Sequence, residues 1–311
     1  MHISVIEPLG ISIEQFETLK KEFSVMGHTF SYYMDRKEDE DTLVSRMKEA
    51  NIVVVSNIKL PSSVLSQCPR LEMLSIAFTG LDHIDLAYCD EHKIVVKNAG
   101  GYSTTAVSEL AVGLMIDLLR KVTELDGTIR QGEGRGSFLG RELKGKTVGV
   151  VGTGAIGTAT IRLLVAFGCK VLAWNRSEHE EVKTMGATYC DFDTLLKESD
   201  IVTLHVPLNE STHHLIGRPQ LDMMKSSAIL INTARGNVAD IDAVAEALKE
   251  GRIAGAGFDV YETEPPLPKF HNLLHAPNIV CVPHVGFATR EAFDIRADIV
   301  MNNVRNYIKS K

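Results

Sequence analysis

The chain has 311 residues, of which 44% are hydrophobic and 23% are charged, and this composition is typical of a globular protein with room for two domains. Its net charge of −7 gives no reason to expect a nucleic acid or an anionic membrane as a partner. No apolar run approaches the length of a membrane span, and the N-terminus lacks the basic and apolar regions of a targeting signal.

Strand and helix patterns alternate over the first 97 residues. The predicted elements are strand 2–6, helix 12–24, strand 29–33, helix 39–50, strand 52–55, helix 61–67, strand 72–76, helix 83–91 and strand 93–97. Strands separated by helices predict a parallel sheet that is covered on both faces. Residues 98–101 break the pattern, and a long helix is predicted from residue 103 to about residue 130.

A second alternating series follows a glycine-rich segment. Its predicted elements are strand 147–151, helix 155–167, strand 170–174, helix 178–185, strand 201–205, helix 219–224, strand 228–232, helix 240–250, strand 253–258, strand 279–282 and a final helix over 288–309. Because this series lies in the middle of the chain, we expect the final helix to rejoin the first domain. We therefore predict an α/β protein with two doubly wound parallel-sheet domains, residues 1–99 plus 287–311 and residues 100–286.

The strand predicted over 147–151 runs directly into the pattern Gly152-x-Gly154-x-x-Gly157, and a helical pattern begins at Ala155. In this context Gly152 permits the tight turn, Gly154 allows close approach to a pyrophosphate, and Gly157 lets helix and strand pack closely. The helix N-terminus then presents its partial positive charge to the phosphates. Glycine clusters are often plain turns, but the flanking strand and helix indicate a dinucleotide-binding Rossmann domain.

The next strand ends in Asn175-Arg176-Ser177, where NAD-binding sites usually carry an Asp or Glu that binds the ribose hydroxyls. A neutral Asn removes the repulsion against a 2′-phosphate, while Arg176 and Ser177 offer a cation and a hydroxyl donor. The segment therefore favours NADP over NAD. The alternative is that Asn175 binds the ribose of NAD and Arg176 is a solvated loop residue.

Three later strands end in residues that could carry acid–base chemistry. Arg235 follows strand 228–232, Glu264 comes shortly after strand 253–258, and His284 follows strand 279–282. An Arg at a strand end can hold a carboxylate and polarise a carbonyl, although a surface loop charge is an equally simple interpretation. A single His is often structural, but three such residues at strand ends are typical of an acid–base site. The histidines and the five scattered cysteines show no metal-ligand spacing, so we expect free thiols, no metal and a cytoplasmic location.

With these motifs in view, the chain resembles the D-isomer-specific 2-hydroxyacid dehydrogenases over nearly its whole length. The resemblance rests on several motifs in the same order, namely Phe78-Thr79-Gly80-Leu81-Asp82-His83-Ile84-Asp85, Asn98-Ala99-Gly100-Gly101-Tyr102-Ser103, the fingerprint, Thr233-Ala234-Arg235-Gly236, Phe258-Asp259-Val260 with Glu264-Pro265, and Pro283-His284. It implies a discontinuous flavodoxin-like substrate domain and hydride transfer between a nicotinamide cofactor and a small 2-oxo or 2-hydroxy acid.

The resemblance also implies roles for individual residues. Arg235 would bind the 2-oxo acid, His284 would be the acid or base, Glu264 would favour its charged form, and the backbone N–H groups of Thr79 and Gly80 would hold the substrate carboxylate. The cofactor contacts implied by the resemblance or by the fingerprint are Thr105, Gly152, Gly154, Ala155, Ile156, Gly157, Asn175, Arg176, Ser177, Val206, Pro207, Thr212, Thr233, Ala234, Asp259 and Gly286.

The alternative functions are a formate-type dehydrogenase and a dinucleotide-sensing interaction protein. A formate-type dehydrogenase needs no acid–base His pair, and Glu264 argues against it. A dinucleotide-sensing interaction protein of the corepressor type shares the architecture but carries extra tails. The apolar positions of the helix from residue 103, together with the resemblance, imply a homodimer.

Overall fold

The computed structural model describes all 311 residues and divides the chain into two compact units. Unit 1 comprises Met1–Ser103 and Ala288–Lys311, and unit 2 comprises Thr104–Phe287. The boundaries expected from the sequence, after residues 99 and 286, lie four residues and one residue before those of the structure.

Unit 1 is a parallel sheet of five strands with helices between them. Its elements are β1 (His2–Val5), α1 (Ile13–Val25), β2 (Thr29–Tyr32), α2 (Glu40–Met47), β3 (Ile52–Val55), α3 (Ser62–Leu65), β4 (Met73–Ile76), α4 (Leu86–Glu91), β5 (Val95–Asn98) and, from the end of the chain, α12 (Arg290–Lys309). The strand order β2-β1-β3-β4-β5, with every pair parallel, is the flavodoxin-like order.

Local sequence explains where several of these helices begin. Ser12 and Gln15 form a reciprocal capping box at α1, and the carboxylates of Asp39 and Asp85 accept backbone N–H bonds at α2 and α4. The hydroxyl of Thr289 caps α12 in the same way. The residues of β3 and β4 are buried throughout, which is typical of strands covered on both faces.

Unit 2 is a parallel sheet of seven strands. Its elements are α5 (Thr104–Arg120), α6 (Val122–Arg130), β6 (Thr147–Val151), α7 (Ala155–Ala166), β7 (Lys170–Trp174), α8 (Glu180–Thr184), β8 (Thr188–Tyr189), α9 (Phe192–Glu198), β9 (Ile201–Leu204), α10 (Arg218–Met223), β10 (Ile229–Asn232), α11 (Ile241–Lys249), β11 (Gly255–Phe258) and β12 (Ile279–Cys281).

The strand order of unit 2 is β12-β11-β10-β9-β6-β7-β8, which is the Rossmann arrangement with one added edge strand. The order reverses between β6 and β9, and ligands of such sheets bind at the carboxyl ends of the strands near this point. The predicted fold class, two doubly wound α/β domains of Rossmann and flavodoxin-like type, is confirmed.

Two predictions of secondary structure were wrong. The single helix predicted from residue 103 to about residue 130 is divided at Lys121, whose φ of 51° lies in the left-handed region and ends α5. The carboxylate of Asp117 then accepts bonds from the backbone N–H and the hydroxyl of Thr123, in the first turn of α6. The segment between residues 185 and 201, where no helix or strand was predicted, contains β8 and α9. No helix is long and apolar enough to span a membrane.

Candidate active site

Three neighbouring strands of unit 2 carry the polar side chains singled out in the sequence. β10 pairs with β11, and β11 pairs with β12, all in parallel register. Arg235, Asp259 and His284 each follow one of these strands, so all three lie at the carboxyl edge of the sheet. Glu264 comes from the segment after β11.

The imidazole of His284 is paired with the carboxylate of Glu264. Nδ1 of the ring lies 3.0 Å from Oε1 and 2.9 Å from Oε2 of the carboxylate. Because a carboxylate can only accept, Nδ1 is the nitrogen that carries the hydrogen in this bond. The His284 side chain is 13% exposed, whereas that of Glu264 is 65% exposed.

His284 is held in an unusual backbone conformation by Asp259. Its φ is 55°, in the left-handed region that residues other than Gly rarely adopt. The next two residues donate backbone N–H bonds to the two carboxylate oxygens of Asp259, Val285 at 2.6 Å and Gly286 at 2.9 Å. Asp259 is 2% exposed; burial raises the pKa of its carboxyl, and the two N–H bonds act in the opposite direction.

Arg235 is positioned by the side chain of Asn232, which the sequence analysis did not single out. The buried amide of Asn232 donates to the carbonyl of Arg235 at 3.0 Å and accepts from the N–H of Ala234 at 3.1 Å. The guanidinium of Arg235 donates to the carbonyl of Ala234 at 2.8 Å, and the residue is half-buried. A side chain at Gly236 would overlap the backbone of Tyr261, so the turn after Arg235 requires glycine.

Tyr261 is a second residue that the sequence reasoning missed. Its hydroxyl lies 2.9 Å from the carbonyl of Val282 and 3.2 Å from that of Phe258. Phe258 is the last residue of β11, and Val282 directly follows β12. The hydroxyl therefore connects the ends of these two strands, beside Asp259 and His284. A tyrosine directly after the Phe258-Asp259-Val260 motif was the only signal in the sequence.

The three fingerprint glycines have different structural reasons to be glycine. Gly152 has a φ of 97°, and a Cβ there would lie 2.7 Å from the carbonyl oxygen of His205. A Cβ at Gly157 would overlap the carbonyl oxygen of Gly152. Gly154, the N-cap of α7, has no atom within 4 Å of the position of a Cβ, so space is left for a ligand.

This open space is suited to a dinucleotide. A cavity of about 610 Å³ lies at the N-terminus of α7, where Ala155 and Ile156 begin the helix and the backbone N–H groups lack intrahelical partners. Its lining residues are Thr104, Thr153, Gly154, Ala155, Thr158, Ala159, Arg162, Glu178, His179, Glu180 and Glu181. The hydroxyl of Thr233, buried at the end of β10 without a hydrogen-bond partner, is an additional group available to a ligand.

The segment after β7 folds back on itself. The amide of Asn175 donates to the carbonyl of Ser177 at 2.9 Å and lies 3.3 Å from Nε2 of His179. Arg176 and Ser177 are exposed, and Arg176 forms no ion pair. The neighbouring Glu178 is paired with Lys183 at 2.8 Å.

The other expected cofactor residues also lie in unit 2. The hydroxyl of Thr212 donates to the carbonyl of Pro207 at 2.6 Å and closes the loop that starts at Val206 after β9. Thr105 is exposed in the first turn of α5.

Thr79 and Gly80 lie in unit 1, in the loop after β4. The carbonyl of Thr79 accepts from the amide of Asn98 at 2.7 Å, and that of Phe78 accepts from the N–H of Ala99 at 3.0 Å. The N–H groups of Thr79 and Gly80 have no acceptor in the structure, so they remain available as donors.

No group of three or more His, Cys, Asp or Glu residues is arranged to hold a metal ion. A Rossmann sheet with an open fingerprint turn, an Arg and a His–Glu pair at the ligand-binding edge defines a nicotinamide-dependent oxidoreductase.

Comparisons with known proteins identify the family. A family model for the NAD binding domain of D-isomer specific 2-hydroxyacid dehydrogenases matches residues 112–286. A glyoxylate reductase of Thermococcus litoralis is 40% identical over 281 residues, which cover 86% of this chain and 84% of the relative. A hydroxypyruvate reductase of Thermotoga maritima is 36% identical over 293 residues, covering 93% and 92% of the two chains.

Solved structures agree with this result. A D-lactate dehydrogenase from Aquifex aeolicus, complexed with NAD and lactic acid, is 30% identical with a TM-score of 0.84, and the match covers 100% of this chain and 96% of that one. An acyclic imino acid reductase in complex with NADPH and D-Arg is 28% identical with a TM-score of 0.89, covering 100% and 98%.

The chain therefore belongs to the D-isomer-specific 2-hydroxyacid dehydrogenase family, as the sequence motifs predicted. It is an NAD(P)-dependent enzyme that transfers a hydride between the nicotinamide cofactor and a 2-oxo acid. The alternative of an interaction protein of the corepressor type finds no support in these comparisons.

Proposed function

We propose that the enzyme reduces a small 2-oxo acid with Arg235 as the substrate-binding cation and His284 as the proton donor. The observation that carries this proposal is the His284–Glu264 pair, in which Nδ1 of the imidazole lies 2.9 Å from the carboxylate. His284 follows β12 and Arg235 follows β10, and these two strands are separated in the sheet only by β11. When bound, the nicotinamide supplies the hydride to C2 of the substrate.

Residues of the chain have to stabilise the negative charge that develops on the carbonyl oxygen as the carbonyl is reduced. Nε2 of protonated His284 donates its proton to the carbonyl oxygen, and the guanidinium of Arg235 stabilises the negative charge on that oxygen. Glu264 accepts the Nδ1 hydrogen and so stabilises the charged imidazole and fixes its orientation. In the opposite direction neutral His284 accepts the proton of the hydroxyl group.

We further propose that the backbone N–H groups of Thr79 and Gly80 bind the substrate carboxylate. The support is that the two N–H groups have no acceptor in the protein, and that N–H groups are suitable donors to a carboxylate. Glyoxylate, hydroxypyruvate and pyruvate are the substrates to test, because relatives named for the first two match this chain. Absence of NADPH and NADH oxidation with all three acids would contradict the proposed reaction.

NADPH is the cofactor we propose the enzyme prefers. Arg176 and Ser177 are exposed and Arg176 has no ion pair, so both can contact a 2′-phosphate, and the residue directly after β7 is the neutral Asn175 instead of a carboxylate. The lost contact in Arg176→Ala should cost about 1.5–3 kcal/mol, roughly ten- to a hundredfold in kcat/KM with NADPH, and little with NADH.

The matched control for this substitution is Arg218→Ala, which removes an exposed guanidinium paired with Glu246 at 3.2 Å on another part of unit 2. It should change neither cofactor's kcat/KM. A higher kcat/KM with NADH than with NADPH in the unmodified enzyme would contradict the preference.

We also propose a homodimer built on the apolar face of α5. A groove of about 710 Å³ runs beside this helix, and its apolar lining includes Leu110, Leu114, Leu118 and Val280. Leu139, 84% exposed, lies at the same groove, and a contiguous apolar patch of this kind is typical of a protein interface. Sedimentation at micromolar concentration should give a dimer, and a species of 34.2 kDa would contradict it.

A cytoplasmic location is proposed as well. It is supported by the five cysteines, all of which are free thiols in the structure.

A further inference from the structure

Two polar side chains of α12 are connected to the loop that carries Thr79 and Gly80. The first connection starts at Arg296, whose Nη1 donates to the hydroxyl of Ser56 at 3.2 Å. That hydroxyl in turn donates to the carbonyl of Ala77 at 3.2 Å. Ala77 is the residue after β4 and directly precedes the segment Phe78-Thr79-Gly80, so Arg296 holds the beginning of the loop through Ser56.

Arg296 is placed where packing alone would favour an apolar side chain. It is 3% exposed, its guanidinium carbon lies 4.3 Å from the ring centre of Phe293, and its Nη2 donates to the carbonyl of Leu9 at 2.6 Å. Its Nε is buried without a partner. Glu7, 2% exposed, is a nearby carboxylate, but it is paired with Arg36 at 2.6 Å and accepts the N–H of Ser56 at 2.6 Å. A buried charge with an unmet donor stabilises a fold poorly, so stability alone does not account for this Arg.

The second connection starts at Asn303, two turns further along α12. Its amide donates to the carbonyl of Asn98 at 3.1 Å, and the amide of Asn98 donates to the carbonyl of Thr79 at 2.7 Å. The adjacent Ala99 donates its N–H to the carbonyl of Phe78 at 3.0 Å. The carbonyls of Phe78 and Thr79, in two successive peptide units, are thus held by hydrogen bonds from Ala99 and Asn98, at the end of β5.

The orientation of the free N–H groups follows from these bonds. The carbonyl of Phe78 and the N–H of Thr79 belong to one peptide unit, and the carbonyl of Thr79 and the N–H of Gly80 belong to the next. In a trans peptide the carbonyl and the N–H point in opposite directions. Holding both carbonyls toward Asn98 and Ala99 therefore turns both N–H groups away from them, where they are available to a ligand.

We propose that Arg296 and Asn303 are positioning residues that fix the two N–H groups of Thr79 and Gly80 for the substrate carboxylate. This inference rests on the proposed function, in which those groups bind the carboxylate. Arg296 fixes the start of the loop through Ser56, and Asn303 fixes its peptide planes through Asn98. Neither residue contacts the substrate.

Arg296→Met and Asn303→Asp test the proposal, with Arg305→Met and Asn302→Asp as matched controls. The controls make the same chemical changes on the same helix, where Arg305 pairs with Glu22 and Asn302 contacts Arg305. KM for the 2-oxo acid should rise about tenfold in each test variant, the value for one hydrogen-bonded contact, while the Kd of NADPH stays unchanged. Ser56→Ala should raise KM as much as Arg296→Met does. Ser56→Thr, which keeps the hydroxyl, should have the KM of the unmodified enzyme.

A merely structural role would lower Tm without raising KM selectively. If Arg296→Met does not fold, Ser56→Ala and Asn303→Asp decide the question, and an unchanged KM in both folded variants overturns the inference. If the unmodified enzyme reduces no 2-oxo acid, the proposed reaction fails by itself, and oxalate is then titrated into the NADPH-loaded protein. Weaker oxalate binding in the two variants than in the unmodified protein still supports the positioning role, and equal or absent binding overturns it.

Discussion

The substitution Asp259→Asn isolates the contact that holds His284 in place. In the unmodified enzyme the two carboxylate oxygens each accept one backbone N–H, from Val285 at 2.6 Å and from Gly286 at 2.9 Å. An amide of the same shape keeps one acceptor and replaces the other by an NH₂ group, which then faces an N–H donor. One hydrogen bond to a charged acceptor is lost, and a buried donor is left without a partner.

The size of the effect follows from that lost bond. A hydrogen bond to a charged group contributes about 1.5–3 kcal/mol. Because this bond holds His284 in its position for the transition state, its loss should lower kcat for reduction roughly ten- to a hundredfold. A positive φ of 55° makes this loop dependent on external bonds, because the backbone does not favour the conformation by itself.

The assay is single-turnover oxidation of NADPH by a 2-oxo acid, together with thermal unfolding of the same samples. Asp200→Asn is the matched control, because Asp200 also accepts a backbone N–H, that of Thr147 at 2.9 Å, but lies at the amino end of the sheet. The control should lose stability while its rate of hydride transfer is kept. An Asp259→Asn enzyme with the unmodified rate, or a control that loses the same rate, would refute the argument.

Two further predictions concern Arg235 and His205. Arg235→Lys keeps the charge but loses the planar fork, so KM for the 2-oxo acid should rise and kcat should fall, as steady-state kinetics will show. Burial lowers the pKa of His205 to about 4, well below its ordinary value of 6.5. The stability that this neutral ring contributes is therefore full above pH 6.5 and is lost as pH falls from 6.5 to about 4, a loss of about 3 kcal/mol. Denaturant unfolding across this range should show the loss, and His205→Asn should abolish it while His92→Asn, at an exposed position, should not.

The sequence was sufficient to predict the fold because its signals were local and repeated. Alternating strand and helix patterns, together with a strand that runs into Gly152-x-Gly154-x-x-Gly157, predict a Rossmann sheet without any knowledge of contacts. The break in the long helix was missed because Lys121 is an ordinary helix former, and the contact of Asp117 with the N–H of Thr123 that accompanies the break is not signalled by the sequence pattern.

The candidate reactive residues were easier to single out from the sequence than the residues that hold them in place. Arg235, Glu264 and His284 follow strands and have ionisable side chains, so the pattern alone indicates them as candidates. Asn232, Tyr261 and Asn303 act through hydrogen bonds to backbone carbonyls, and Arg296 acts through the hydroxyl of Ser56. These partners are distant in the sequence or belong to a turn whose shape the sequence pattern does not predict. Such bonds become visible only when the strand ends are assembled.

The most direct test of the central claim is the rate of NADPH oxidation by glyoxylate or hydroxypyruvate in the unmodified enzyme and in His284→Gln, measured under conditions where chemistry limits the rate. Loss of the proton donor should lower kcat by about 10²-fold or more, and the Kd of NADPH should stay unchanged, because the imidazole acts on the substrate oxygen. Turnover of a 2-oxo acid by His284→Gln at the unmodified rate would show that His284 is not the acid.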